Sequence, residues 1–345
     1  MSSTEEESTF GYHGLDINGP PQVDVVRGLI KDFLEATRFE RTTPSSKDKE
    51  LEAAVWKYFK SLNLGPKLEA AVQKVLKMST TFTHQAYTSL PFENQVLCAV
   101  QFLYMFLVDD AAPLFMNELR CFCQNTTNPN RGASFTLNHD HRHPLLRHFD
   151  AHLRSLARYY GPYCHSTIIK SLFDYVNGRI IEHDMAQSAF RFSAATRLMP
   201  MFLRTKVGAA EILVALLWPQ QRYPEETHLI RYFPAVQELV LFTDFTNDIL
   251  SYYKEFVVHR ETGNFVANFA EAHGMSHLEV LRRLVDYAPK VIANVYEIFA
   301  GKDDLVRPVR DYVKGWIMLC TAQRRYHLVE LFEDEGFLPP YDEDS

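Results

Sequence analysis

The sequence predicts an all-α protein. Apolar residues recur at helical spacing through most of the chain, as in Val25, Val26, Leu29, Ile30, Phe33 and Leu34. No stretch alternates with period two over a strand's length, and no internal repeat is evident. With 345 residues, the chain can bury a sizeable core. Its 46% hydrophobic and 23% charged content is that of a globular protein and excludes disorder.

Taken in order, residues 1–20 are polar, carry Gly14, Gly19 and Pro20, and read as a loose tail. Residues 23–39 form the first helical pattern, and a Thr, Pro and Ser loop follows over 41–47. Residues 49–62 and 66–82 repeat the pattern, with Pro66 placed for a helix start. Residues 92–110 make a strongly apolar helix that ends in Asp109 and Asp110, just before Ala111-Ala112-Pro113. Carboxylates at a helix C-terminus oppose the macrodipole. Two of them after Met105, Phe106, Leu107 and Val108 therefore call for a metal or a basic partner, the alternative being a surface helix end. Residues 125–143 are a polar connector. The spacing of His139, His141 and His143 there matches no standard zinc site, so the reading is a solvated loop.

Residues 144–160 are amphipathic, with Arg147, Arg154 and Arg158 on the polar side. A long helix is expected over 167–191 and another over 193–218. Gly208 lies inside the second, just after Arg204. A glycine costs about 1 kcal/mol against alanine in a helix, so it marks a break or a close approach. Arginine is well shaped to grip a phosphate with two parallel hydrogen bonds, and a surface arginine beside a packing glycine is the alternative. Helix is expected over 234–259, a turn at Gly263-Asn264-Phe265, and further helices over 276–299 and 305–334. The last carries Gln323-Arg324-Arg325-Tyr326-His327, in which Arg324, Arg325 and Tyr326 are donors able to meet an anion.

The densest chemical signal is in the helix over 234–259. Asn247, Ser251 and Glu255 are spaced i, i+4, i+8. At about 100° per residue they drift only about 80° around the axis, and they span about 12 Å. An amide oxygen, a hydroxyl and a carboxylate on one face form a hard donor set. It suits Mg²⁺ sharing its shell with phosphates, not zinc. Lys254 points about 100° away from Glu255 and can bring a cation to the edge of the same site. A solvated polar face is the alternative. Against it, Phe242, Phe245, Ile249, Tyr252, Tyr253 and Phe256 surround the polar residues.

The net charge of −7 speaks against a nucleic-acid partner. Five cysteines without a CxxC imply neither a disulfide framework nor a zinc site. The acidic, polar N-terminus lacks the regions of a signal peptide. The longest apolar run, 96–108, contains Gln101 and is too short to span a bilayer. The expectation is a soluble, cytoplasmic protein.

These pieces form one constellation: Asp109 and Asp110, Arg204 before Gly208, Asn247-Ser251-Glu255 with Lys254, and Arg325-Tyr326. Residues 247–255 read N-D-x-x-S-x-x-K-E, and Leu217-Trp218-Pro219 lies between Arg204 and that motif. In this the chain resembles the class I terpene cyclases of the fungal trichodiene synthase family, over residues from about 90 to 330. The first motif departs from the family's pattern, since Pro113 stands where a further acid is usual. Gln323 replaces an acid commonly found before the two arginines.

The resemblance implies one α-helical barrel over residues 21–335, flanked by an N-terminal tail and an acidic tail over 336–345. It implies a sesquiterpene synthase that ionises and cyclises farnesyl diphosphate and releases diphosphate. It also implies three Mg²⁺ ions, held by Asp109 and by Asn247, Ser251 and Glu255. Arg204, Lys254, Arg325 and Tyr326 would bind the diphosphate, and Asp110 would pair with Arg325 on closure. Phe102, Phe106 and Trp316 are candidate lining residues, with core packing as the alternative. A homodimer is left open. Two rivals stand. A chain-elongating prenyl diphosphate synthase would need a second aspartate-rich motif where N-D-x-x-S stands. A non-catalytic, degenerate homologue is suggested by Asp-Asp-Ala-Ala-Pro at 109–113.

Overall fold

The computed structural model describes residues 20–40, 49–111, 115–127, 143–188, 190–261, 263–339 and 341. Among these there is no strand, and every element is helical. The histidines at 139 and 141 and the proline at 113 lie outside the described residues.

The N-terminal half begins with α1 (Pro20–Ala36), α2 (Lys49–Ser61) and α3 (Pro66–Ala86). Pro66 takes the first turn of α3, where its missing N–H costs nothing. Next come α4 (Phe92–Ala111), α5 (Met116–Arg120), α6 (Phe122–Thr127) and α7 (Pro144–Ser155), the last running into a 3₁₀ turn, Leu156–Arg158. Then α8 (Pro162–Gln187) precedes a 3₁₀ turn, Ala194–Thr196, and two short helices, α9 (Met199–Val207) and α10 (Ala210–Ala215). The C-terminal half holds α11 (Glu225–Tyr232), α12 (Val236–Tyr252), α13 (Phe265–His273), α14 (His277–Ile298), α15 (Asp303–Ala322) and α16 (Leu328–Leu331).

Three expected elements are corrected. The helix expected over 193–218 is split: α9 ends at Val207 and Ala209 turns left-handed, with φ of 51°. Gly208 is there because a Cβ at that point would overlap Asp244 Oδ1 and Arg204 Nη1. The helix expected over 305–334 stops at Ala322. Gln323 is extended, Arg324–Tyr326 form a 3₁₀ turn and His327 has φ of 56°. The helix carrying the Asn-Ser-Glu motif changes its winding after Tyr252 to a π-turn, Tyr253–Val258. Its i→i+5 bonding widens the turn that carries Lys254 and Glu255. Four helices escaped the periodicity: the short α5 and α6, α11, and α13, which the Gly263-Asn264 turn starts rather than merely connects. The Asn264 side chain caps it, accepting the Ala267 N–H at 2.9 Å.

A ring of helices encloses the centre: α3 packs on α4, α8 on α10, α10 on α12, α12 on α15, and α15 back on α3. Between α4 and α8 the ring is closed by the Tyr175 hydroxyl, which donates to the Met105 carbonyl at 3.2 Å. On the α3–α15 side, Gly315 lies directly on the Ala86 backbone. Outside the ring, α14 covers α12, and α1 covers α14. Buried polar bonds lock the ring's register. Trp316 Nε1 donates to Thr243 O at 2.9 Å, Thr243 Oγ1 and the Tyr312 hydroxyl are 2.7 Å apart, and the Tyr87 hydroxyl donates to Leu213 O at 2.8 Å. Phe102 and Trp316 both pack against Phe82, with ring centroids 4.7 and 5.5 Å away. Both are buried in this aromatic core, which is the packing alternative raised for them. All five cysteines are free thiols. Among the described residues no helix is long and apolar enough to cross a membrane.

Candidate active site

Several elements deliver the polar residues to one end of the ring. The last turn of α4 presents Asp109 and Asp110. The C-terminal half of α8 presents Arg179 and Glu182. The end of α9 presents Arg204. The α12 helix, its π-turn and the 3₁₀ turn after α15 present the rest.

On α12, Ser251 is buried, and its hydroxyl has no hydrogen-bond partner. Buried polar groups are normally paired, because leaving one unpaired costs about 1–3 kcal/mol. Asn247, one turn before it, donates through Nδ2 to the Tyr326 hydroxyl at 3.4 Å. Glu255 lies 3.4 Å from Lys254 Nζ, and that ammonium stands 5.9 Å over the Tyr326 ring. The break at Gln323 thus carries Tyr326 onto the triad helix, where a continuous helix would have swung it away.

Arg325 projects from the same turn toward α4. Its guanidinium lies 5.8 Å over Phe106 and makes a 3.7 Å contact with Met78 Sδ. Asp110 lies in the field of Arg325 and Lys254 without forming an ion pair with either. Burial pushes its carboxyl up, and those two cations pull it back. Asp109 is ion-paired, through an arginine the sequence reading did not single out: Arg179 Nη1 is 2.9 Å from Asp109 Oδ1 and 3.2 Å from Glu182 Oε2. Tyr175, Arg179 and Glu182 are spaced i, i+4, i+7 on α8, a polar face whose spacing was visible in the chain.

Arg204 reaches the site from α9 already engaged. Its Nε lies 2.9 Å from both oxygens of Asp248, its Nη2 donates to Asp244 O at 2.8 Å, and its Nη1 is 3.1 Å from Asp244 Oδ1. The group is buried, so the arginine needs these partners. Burial pushes the carboxyls of Asp244 and Asp248 up, and the Arg204 guanidinium opposes it. Arg204 therefore links α9 to α12. Neither aspartate was anticipated as its partner.

The donor set is made of oxygens. Among the described residues no three His, Cys, Asp or Glu side chains cluster as a metal site. Asn247, Ser251 and Glu255 form a mixed amide, hydroxyl and carboxylate set, and the unpaired Ser251 hydroxyl is the feature that suits an added hard cation. His143 stacks on Phe115 with ring centroids 4.6 Å apart, ahead of α7.

A closed ring of helices with acids and cations gathered at one end defines a class I terpene cyclase, a carbon–oxygen lyase. The chain belongs to the trichodiene synthase family: the family model "Trichodiene synthase (TRI5)" matches residues 58–338. Trichodiene synthase of Paramyrothecium roridum is 24% identical over 274 residues, covering 79% of this chain and 67% of that protein. That of Fusarium acaciae-mearnsii is 24% identical over 280 residues, with coverage of 79% and 69%. Among solved structures, the linalool/nerolidol synthase from Streptomyces clavuligerus in complex with 2-fluorogeranyl diphosphate matches with a TM-score of 0.56. At 17% identity, over 84% of this chain and 97% of that one, it shows the shared fold.

Proposed function

We propose that this protein is a Mg²⁺-dependent sesquiterpene cyclase that ionises farnesyl diphosphate and closes the resulting cation into a ring. The observation that carries the reading is the Ser251 hydroxyl, buried and unpaired between Asn247 and Glu255. Thr246 Oγ1 on the same helix is likewise buried and unpaired, so what distinguishes Ser251 is its place four residues from an amide on one side and from a carboxylate on the other, a hard donor set on one face. Asn247, Ser251 and Glu255 would hold metal on one side and Asp109 on the other. Bound Mg²⁺ supplies the positive charge that stabilises the departing diphosphate.

The chain's own residues do the rest. Lys254, Arg325 and the Tyr326 hydroxyl converge from two neighbouring turns and offer donors to the diphosphate. Arg204 adds its charge from below, after loosening from Asp248. Asp110 pairs with Arg325 when the mouth closes, which keeps water from the cation. The half-buried Phe106 under Arg325 presents a ring face to the reacting chain. The reading includes a cytoplasmic enzyme acting through a single α-domain over residues 21–335.

The test is one incubation with farnesyl diphosphate, with Mg²⁺ or with chelator. Diphosphate release and a cyclic hydrocarbon or alcohol in the gas chromatogram are expected only with Mg²⁺, and Zn²⁺ should serve poorly. Turnover that needs isopentenyl diphosphate would mark an elongating enzyme. No diphosphate release with any prenyl diphosphate would mark a non-catalytic protein.

A further inference from the structure

Arg179 has no part in the motifs, yet it holds the acid those motifs depend on. Its position is fixed from three sides. At Gly178, an added Cβ would come within 2.7 Å of Val207 Cγ1 and 3.2 Å of the Val207 backbone nitrogen, so α8 and α9 pack too closely there for α8 to slide. The Tyr175 ring lies under the guanidinium, 5.4 Å from it, and the Tyr175 hydroxyl ties α8 to α4. Asp109 and Glu182 then share one nitrogen, Nη1, at 2.9 and 3.2 Å. Arg179 Nε is buried and has no hydrogen-bond partner.

We propose that Arg179 is a positioning residue: a resident counter-cation that holds Asp109 until a divalent ion displaces it, and so sets how much metal the enzyme needs. The proposal rests on the reading of Asp109 as a metal ligand. Two carboxylates on one guanidinium nitrogen lack the fork geometry that makes arginine–carboxylate pairs strong. The three side chains keep 27–33% of their surface exposed, so solvent weakens the pair further. A divalent oxygen-seeking ion can therefore take the Asp109 oxygen, while Glu182, one turn along α8, retains the arginine. Asp109 is thereby oriented in advance, and the acidic mouth keeps a compensating charge when empty. The cost is competition with the metal.

The experiment titrates Mn²⁺ by electron paramagnetic resonance in the presence of inorganic pyrophosphate, on wild type and on Arg179→Gln, Glu182→Gln and Asp109→Asn. Melting is also followed in chelator. Arg179→Gln should bind Mn²⁺ at up to about five-fold lower concentration, the factor that loss of a part-exposed ion pair allows. It should also melt at a lower temperature in chelator, where Asp109 is left uncompensated. Glu182→Gln should shift Mn²⁺ binding the other way, because Arg179 then has Asp109 as its only carboxylate partner. An unchanged or raised Mn²⁺ requirement in Arg179→Gln overturns the proposal. So does weaker pyrophosphate binding at unchanged Mn²⁺ affinity, which would make Arg179 a contact to the anion. If Arg179→Gln does not fold, Glu182→Gln decides: a raised requirement supports the proposal and an unchanged one overturns it. Asp109→Asn separates the two levels. A changed Mn²⁺ curve there with none in Arg179→Gln sinks the counter-cation alone. No change in Asp109→Asn sinks the reading of Asp109, and the proposal with it.

Discussion

At the scale of the residue, Ser251 stands four residues from Asn247 and four from Glu255, in the face proposed to hold the metal. Ser251 is 2% exposed and its Oγ meets no partner, which penalises the metal-free protein. Ser251→Ala should therefore stabilise the metal-free protein by about 1 kcal/mol, while metal-dependent turnover falls by about ten-fold or more, the loss expected of a removed ligand. Chemical denaturation and steady-state rates measure the two effects, and a loss of both together would make the hydroxyl structural. The two adjacent acids should differ in kind. Asp109→Asn is expected to cut ionisation nearly to nothing. Asp110→Asn should still turn over but release more acyclic or hydroxylated product, because Arg325, the partner proposed for it on closure, then closes the mouth less firmly. Identical product profiles for Asp110→Asn and wild type would remove the closure role.

At the scale of elements, glycines decide where helices meet. Gly208 lets α9 end against α12 so that Arg204 reaches Asp244 and Asp248; Gly315 lets α15 lie on the Ala86 backbone of α3. Both tolerate no Cβ without movement, but what must move differs. At Gly208 the obstacles are the ends of two side chains, whereas at Gly315 they include helix backbone. Gly208→Ala is expected to cost about 1–3 kcal/mol by overpacking and to disturb the Arg204 pair. Gly315→Ala should cost more, because two helices must part. Urea unfolding of both variants checks the order; a Gly315→Ala variant as stable as wild type would show that the α3–α15 seam is softer than its geometry. The π-turn at 253–258 is a second such device: it changes the pitch just where Lys254 and Glu255 lie.

The molecule as a whole carries an acid-sensitive group that the proposed chemistry does not use. His152 on α7 is 3% exposed, its ring lies 5.7 Å from that of Tyr104, and its Nε2 has no hydrogen-bond partner. Burial pushes its pKa down to about 3. The unfolded chain takes up this proton below about pH 6.5, whereas the native protein refuses it until about pH 3. Stability from this group is therefore complete above pH 6.5 and is lost as the pH falls, by about 2 kcal/mol between pH 6.5 and 5. His152→Phe keeps an aromatic ring and removes the titration. Melting temperatures across that range should fall less steeply for the variant than for wild type, and parallel slopes would place the acid sensitivity elsewhere.

Much of this was written in the chain itself. The all-α class, the course of α2, α3, α4 and α14, and the Asn247-Ser251-Glu255 face follow from apolar spacing and from donor types at fixed intervals, which are local properties. Gly208 could be flagged as a break or close approach, because a mid-helix glycine carries an intrinsic cost. Its reason, the side chains of Asp244 and Arg204, lies across the fold. The break at Gln323, the turn that places Tyr326 against Asn247, and the π-turn before His259 were not legible, since each departs from local helical preference to satisfy contacts made elsewhere. Helix α11 left too short a periodic trace to be read. Arg179 and Glu182 were visible as an i, i+3 pair on a helix face, where such pairs are usually worth little. Only packing α8 beside α4 brings Asp109 within 2.9 Å of Arg179, because proximity between residues far apart in sequence is a property of the tertiary structure.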